Sequence, residues 1–537
     1  MLHILALIAG AAGAQSADWV IYNARIYTMS AAQPTASALT IKGSRIAAIG
    51  DACTACDVRI DARGATIVPG FIDAHGHIAN LGESLESLDL RHASSAADVA
   101  RAVSAAAAKQ PRGEWIRGRG WDQTRWPGAQ FPTAEDLNSA APHHPVFLTR
   151  VDGHAAWVNS NALEIADVNA ATKDPNGGRI LRDAKGRPTG VLVDRAAALV
   201  SRKIPPPTDE QIARRIERAA RHCAALGLTS VHDAGVTAQH IAAFRQLIAE
   251  DKLPLRVYAM IGGAGGLWRE FLARGPETGE FLTIRSIKLM ADGALGSRGA
   301  AMKEPYSDEP ANRGLLILTR AEIERVARQA VERGFQVNTH AIGDRANREV
   351  LNAYAAALAG ANGRRFRIEH AQIVSLDDIA LFHKYSIVAS MQATHATSDM
   401  RWAGERVGPD RILGAYAWQR MRRAGVVLAN GSDFPVEDAN PLWGFHASIT
   451  RQDHSGAPAG GWMPEQRLTR EQALKSFTLD AALAAFEEKE KGSLEKGKLA
   501  DFVVLSDDIM EIAPARILKT RAMMTVLGGR IVHRVSP

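Results

Sequence analysis

The spacing of hydrophobic and polar positions changes character along the chain. From Trp19 to Ile67 the apolar residues come in short runs, Trp19-Val20-Ile21-Tyr22, Ala38-Leu39-Thr40-Ile41 and Arg45-Ile46-Ala47-Ala48-Ile49, separated by turn residues such as Lys42-Gly43-Ser44. That pattern predicts strands. The far end repeats it, with Asp501-Phe502-Val503-Val504-Leu505, Met523-Met524-Thr525-Val526-Leu527 and, after Gly528-Gly529, Arg530-Ile531-Val532-His533. The two ends, 18–68 and 490–537, are therefore expected to build one small sheet domain. Between them, strand and helix patterns alternate, which points to a parallel sheet with helical crossovers. The predicted strands are Ile67–Ile72, Thr229–Val231, Leu255–Met260, Ser286–Met290, Phe335–Asn338, Phe366–Ile368, Ile387–Met391 and Val426–Ala429, and nearly all run into polar residues. Eight such strands close a (β/α)8 TIM barrel, here expected over 69–489, and in such barrels chemistry gathers at the C-terminal strand ends. The stretch 80–225 is too long for a βα connection. It carries an Ala-rich helical piece, Ala96–Lys109, and turn-rich segments around Asp174–Gly178 and Arg187–Gly190, and leaves through Pro205-Pro206-Pro207. It is expected to be an inserted subdomain over the barrel mouth after the first barrel strand of an α/β fold.

Composition narrows the classes. The 537 residues are 46% hydrophobic and 23% charged, which excludes disordered and fibrous chains. The net charge, 64 − 58 = +6, is spread without one long basic run, so no nucleic-acid partner is expected. Three cysteines exclude a disulfide scaffold. Cys53 and Cys56 form a C-x-x-C with no second pair to complete a zinc knuckle, and read as a local disulfide or two quiet thiols. Leu2 to Ala14 is apolar, small and too short to span a bilayer. It reads as a signal peptide over 1–17, although no Lys or Arg precedes it. That predicts a periplasmic or secreted protein with no membrane insertion after leader removal; the alternative is an apolar tail on a cytoplasmic enzyme.

The candidate chemistry begins at His75-Gly76-His77. In an extended segment residues i and i+2 point the same way, so both imidazoles can reach one ion. Alone the motif is weak. His340, His370 and Asp433 strengthen it, since each falls at the end of another predicted strand. Histidine suits borderline metals such as zinc, and a carboxylate can complete the set. Lys288 lies inside a predicted strand, between Ile287 and Leu289, where an ammonium is costly unless paired. Desolvated near divalent cations it loses its proton easily. The neutral amine can then take up carbon dioxide as a carbamate whose oxygens bridge two metals. The other reading is a salt bridge to Asp292 or Asp233. Around this set, His154 reads as a cap on the substrate pocket or a packing histidine, and Arg298 as a bidentate partner for a substrate carboxylate or an ordinary ion pair. His232 and Asp233 end the second strand, where His232 reads as a substrate contact or, with Asp233, as support behind the ligands. Asp73 is placed to orient a ring of His75 or His77, and His395 and Trp443 read as pocket walls.

These residues carry a resemblance. The stretches Pro69–His77, Gly153–Asn159, Gly177-Gly178 through Leu192, Lys288 through Arg298, Thr339–Asp344, Ile368–Gln372, Gly431–Val436 and Gly492–Asp501 resemble the amidohydrolase superfamily, and within it the YtcJ-like (amidohydrolase 3) group related to N-substituted formamide deformylase. The likeness covers nearly the whole chain after the leader. It implies a distorted barrel with a β-sandwich and a metal-activated water attacking a C–N bond. His75 and His77 match ligands of the buried metal, Lys288 the bridging position, His340 and His370 ligands of a second metal. Asp433 matches the carboxylate that binds metal and shuttles the proton. The expected function is a metal-dependent hydrolase of a small-molecule amide or formamide-like, non-peptide C–N bond, holding one or two zinc ions with Lys288 carbamylated. The alternatives are an acyl-amino-acid hydrolase or dipeptidase of the same superfamily and, from another class, a catalytically silent binding protein on the same fold. A homo-oligomer stays open.

Overall fold

The computed structural model describes residues 19–535 except 51–52, 54–55, 151–154, 176–177, 297 and 360–362. The expected leader and His154 lie outside the described residues. The chain forms two compact units, Met1–Asn80 with Ile216–Pro537, and Leu81–Arg215.

The first unit contains the barrel. Its strands are β1 Phe71–Gly76, β2 Leu228–Val236, β3 Arg256–Gly262, β4 Leu282–Met290, β5 Gln336–Ala341, β6 Arg367–His370, β7 Val388–Gln392 and β8 Leu428–Gly431. They follow one another through a single eight-stranded parallel sheet. β1, β5, β6, β7 and β8 are buried along their whole length, as strands covered on both faces must be. The sheet comes back on itself where β8 meets β1. There the Asp433 N–H donates to the His75 carbonyl at 2.7 Å, and the His77 N–H to the Phe434 carbonyl at 2.9 Å. Gly431 makes that seam feasible, because a Cβ there would lie 2.6 Å from His75 N and Asp73 Oδ1.

The crossover helices follow from local sequence. Arg320–Arg333 buries Ile323, Val326, Ala327 and Ala330, an i, i+3, i+4, i+7 stripe. Thr319 and Glu322 cap its start reciprocally, and Gly334 ends it in the left-handed region at φ 80°.

The eight expected strands are the eight barrel strands, with one correction. The run predicted as one strand, Ile67–Ile72, serves two sheets. Thr66–Pro69 pairs antiparallel with Phe502–Leu505, whereas β1 starts at Phe71. The exchange happens at Gly70, whose N–H donates to the Asp501 carbonyl at 3.0 Å and where a Cβ would meet the Thr229 side chain at 2.3 Å. Thr66–Pro69 thus belongs to a six-stranded sheet with Arg530–Arg534, Ala522–Leu527, Phe502–Leu505, Arg25–Tyr27 and Thr35–Ala36. A four-stranded sheet, Arg45–Ile49, Leu39–Lys42, Trp19–Tyr22 and Val58–Asp61, faces it. Trp19, Ile21, Leu39 and Ile41 from one sheet and Ile67, Phe502, Val504 and Val526 from the other share one core. Cys53 and Cys56 are joined by a disulfide.

The second unit is built on its own six-stranded sheet, Gly178–Arg182, Pro188–Asp194, Ala155–Val158, Val146–Arg150, Ile116–Trp121 and Leu88–Asp89, of mixed direction. The Ala-rich piece is a helix over Ala96–Ala107, capped by the Ser95 side chain, with Val99 and Val103 buried. Among the described residues, no helix of the chain is long and apolar enough to cross a membrane.

Candidate metal centre

β1 delivers His75, and the extended chain beyond it delivers His77. Asp433 follows β8 in the left-handed region at φ 60°, a costly backbone for a residue with a Cβ, found where structure over-determines it. Its Oδ1 lies 3.1 Å from His77 Nε2 and 3.5 Å from His75 Nε2. These ligand atoms form one set that could hold a metal ion. Lys288, in β4, places Nζ 3.1 Å from His75 Nε2. His370 ends β6, also at positive φ, 73°. Its ring centroid is 4.9 Å from that of His75 and 4.6 Å from that of His340 in β5. The six residues expected to meet are therefore gathered at one end of the barrel.

The imidazoles are oriented from behind. His75 Nδ1 is bonded to Glu369 Oε2 at 2.5 Å, His77 Nδ1 to the Ala234 carbonyl at 2.8 Å, and His370 Nδ1 to Gln392 Oε1 at 2.7 Å. A ring whose Nδ1–H is donated carries its lone pair on Nε2, so all three present Nε2 as acceptor, the arrangement metal-binding histidines use. His340 Nε2 is buried without a hydrogen-bond partner. A set of imidazole nitrogens plus one carboxylate suits zinc-type cations, so these residues fit a divalent metal.

Electrostatics agree for His75, His340 and His370, whereas at His77 burial, which lowers the pKa, is outweighed by the bond to Asp433, which raises it. Burial, reinforced by the Lys288 charge, lowers the pKa of His75 and takes His340 down to about 3, and His370 falls well below the usual histidine range for want of solvent. All three rings are neutral at pH 7, as ligands must be. Burial raises Asp433, but its contact with His77 and the surrounding imidazoles of His75, His370 and His395 outweigh that and hold the carboxyl well below the usual range. Burial lowers Lys288 against the opposing pull of Glu369 and Asp433.

Neither carboxylate weighed against Lys288 takes it. Asp292 accepts backbone N–H groups from Ala301, Ile342 and Gly343, and Asp233 accepts from Ile78. Asp73 orients no ring. It accepts from the His75 N–H at 3.0 Å and the Ser432 hydroxyl at 2.6 Å, tying β1 to β8.

Two expected substrate contacts do something else. Arg298 makes a two-point bond to Asp308, at 3.1 and 2.9 Å, and lies 3.4 Å from Glu309, so its charge is already matched. His232 is wholly buried, and its Nδ1 is held by Arg367 Nη1 at 2.9 Å, which makes it interior packing of the barrel. Trp443 packs edge-on against His454.

Two residues at the centre, Glu369 and Gln392, escape the sequence reading, and His395, read there as a pocket wall, also reaches it. For Glu369 a signal existed: Arg367 and Glu369 stand two apart in the short strand Arg367–His370 and so share one face, and both are fully buried. Such charges persist only when paired.

A family model described as the amidohydrolase family matches residues 59–533. The Bacillus subtilis protein named amidohydrolase YtcJ is 33% identical over 483 residues, 89% of this chain and 90% of that protein. The N-substituted formamide deformylase of Arthrobacter pascens is 28% identical over 549 residues, covering 96% and 98%. A crystal structure of a metal-dependent hydrolase from Pyrococcus horikoshii superposes with a TM-score of 0.77 at 29% identity, over 93% of this chain and 99% of that one. The family-model match runs through the barrel and the strand ends that hold the histidines. The chain thus belongs to the amidohydrolase family and is a metal-dependent hydrolase of it.

Proposed function

We propose that the chain hydrolyses a C–N bond of a small non-peptide amide or formamide. His75, His77 and Asp433 hold one divalent cation, probed first as zinc, with Lys288, His340 and His370 beside it for a second. The observation that carries this reading is the convergence of His75, His77 and Asp433, with the Nε2 atoms aimed by Glu369, Ala234 and Gln392. A cation bound there supplies Lewis acidity, bringing water toward a pKa of about 7 and polarising a carbonyl. Asp433, anionic at neutral pH, accepts the proton of the attacking water and hands it to the departing nitrogen. Lys288, eased toward its neutral form by burial, is suited to carbamate formation: its neutral nitrogen would bond to the carbon of CO2, one amine proton would leave, and the carbamate would share one negative charge over two oxygens. The likeness to a formamide deformylase along almost the full chain favours the amide and formamide class. A dipeptidase or acyl-amino-acid hydrolase needs a fixed cation for the substrate carboxylate, and Arg298, the candidate for it, is matched by Asp308. The Cys53–Cys56 disulfide supports an oxidising compartment and so the periplasmic or secreted reading.

The test is a panel of N-substituted formamides, N-acyl amines, N-acyl amino acids and dipeptides on purified protein. The expected result is amine release from the first two classes, lost on chelation and restored by zinc. Release from dipeptides alone, or release indifferent to chelator, overturns the reading.

A further inference from the structure

The Asp433 carboxylate has two sides. Oδ1 faces His77 and His75, as above. Oδ2 faces His395, whose Nε2 lies 3.8 Å away. His395 sits in the first turn of the helix Ala393–Asp399, directly after β7, and the start of that helix is pinned by Asn430, whose side-chain oxygen accepts from the Ala393 N–H at 3.1 Å. The ring stacks on His370 at 5.9 Å between centroids and an interplanar angle of 24°. His395 Nε2 is buried and has no hydrogen-bond partner. An unpaired buried nitrogen is costly unless something outside the chain satisfies it. One ligand atom each from His370, His395 and Asp433 lies within 4.8 Å of the others, a second set distinct from His75, His77 and Asp433 and joined to it through the shared carboxylate. Bonds of about 2.0–2.1 Å to zinc bring ligand atoms to about 3.4 Å apart, so a small closing of side-chain torsions around a cation completes the set. A carboxylate oxygen on each of two neighbouring ions is the arrangement of two-metal sites.

We propose that His395 is a metal ligand, joining with Asp433 Oδ2 the second cation position assigned above to Lys288, His340 and His370, next to the one at His75, His77 and Asp433 Oδ1. This rests on the metal-dependent reading above and extends it to a residue that a pocket-wall role does not explain. No proton or electron changes hands in the step: the lone pair of a neutral imidazole replaces a water on the ion.

Zinc titration of the chelator-stripped full chain, read by calorimetry and by elemental analysis after gel filtration, tests it. The wild type is expected to take up two equivalents. His395→Ala is expected to lose one, or to bind it about tenfold or more weakly, since even outer-sphere partners of a metal typically matter by about 10–100-fold. Ser398→Ala, on the same helix, is expected to keep both, which separates ligation from disturbance of the helix. The visible spectrum of the cobalt-loaded chain is expected to change in His395→Ala. His395→Gln with a wild-type thermal midpoint guards against misfolding. Two equivalents of unchanged affinity in His395→Ala overturn the proposal, as does a single equivalent in the wild type, and neither result touches the first position. No uptake at all defeats the metal-dependent reading as well.

Discussion

Burial alone would leave the Asp433 carboxyl a weaker acid than one in water, yet the imidazoles around it reverse the sign and keep it anionic. That makes it a carboxylate which can accept a proton only when the reaction delivers one. Replacing Asp433 with Asn keeps the shape and one ligating oxygen while removing the base. The expected outcome is retained zinc at lowered affinity with kcat down by about 10²–10⁴, the usual worth of a positioned acid–base group. Metal analysis alongside steady-state kinetics checks it, and near-full turnover would rule out the shuttle. Residue-scale legibility was uneven for a physical reason. His75, His77 and Asp433 declare themselves because they stand at strand ends in short polar clusters. Glu369 and Gln392 act through partners on other strands, and nothing local records who those partners are. A second titrating residue lies apart from the centre. His446, on the helix Pro441–Thr450, is buried with Nδ1 unpartnered, and burial lowers its pKa to about 4. Between about pH 4 and 6.5 the unfolded chain therefore binds a proton that the folded chain refuses, so this residue's contribution to stability rises with pH across that window and is lost as pH falls through it. Unfolding free energies of wild type minus His446→Gln are expected to climb by about 1–3 kcal/mol over that range. A flat or falling difference curve refutes the assignment.

At the scale of elements, the barrel strands were readable because parallel strands covered on both faces must be continuous apolar runs, and their polar ends mark where cover stops. What could not be read is the exchange at Gly70. Ile67-Val68-Pro69 and Phe71-Ile72 are equally apolar, and which sheet each joins is decided by Phe502–Leu505 and Leu228–Val236, hundreds of residues away. The seam between β8 and β1 imposes the sharper demand. Gly431→Ala places a methyl 2.6 Å from His75 N, and backbone cannot yield there without moving the His75–Asp433 hydrogen bond. The expected cost is about 1–3 kcal/mol of stability, as for other overpacked sites. Zinc affinity is expected to fall as well, because the displaced backbone carries both His75 and Asp433, the proposed ligand and proposed acid–base group. Thermal unfolding with zinc titration checks both, and a variant that loses stability but binds zinc normally would show the seam to be structural only.

Across the whole molecule, alternation of strand and helix was enough to reveal a barrel and to single out 80–225 as breaking it, of which Leu81–Arg215 forms the second compact unit, but not to foresee what that stretch would become. Its helical and turn-rich segments were visible, whereas its six-stranded sheet is assembled from short runs paired in both directions, and mixed pairing leaves no period in the sequence. The joining of barrel and sandwich within the first unit was likewise invisible, because its contacts, among them one charge pair, link distant residues. Arg256, at the start of β3, donates to Asp501 from Nε at 2.8 Å and from Nη2 at 3.0 Å, and Asp501 also accepts from the Gly528 N–H at 2.7 Å. Both side chains are buried, at 2% and 4% exposure. Charges this deep are not a net source of stability, but removing one strands the other. Arg256→Met is therefore expected to destabilise the chain by about 3–5 kcal/mol, while Asp501→Leu added to it restores a large part, since two apolar side chains in place of a buried pair often cost little. Denaturant unfolding of the two variants and the wild type decides it. If the double variant is no more stable than Arg256→Met, the penalty comes from lost packing or from the Gly528 N–H, and the ion pair is not what aligns the sandwich strand Phe502–Leu505 with the barrel.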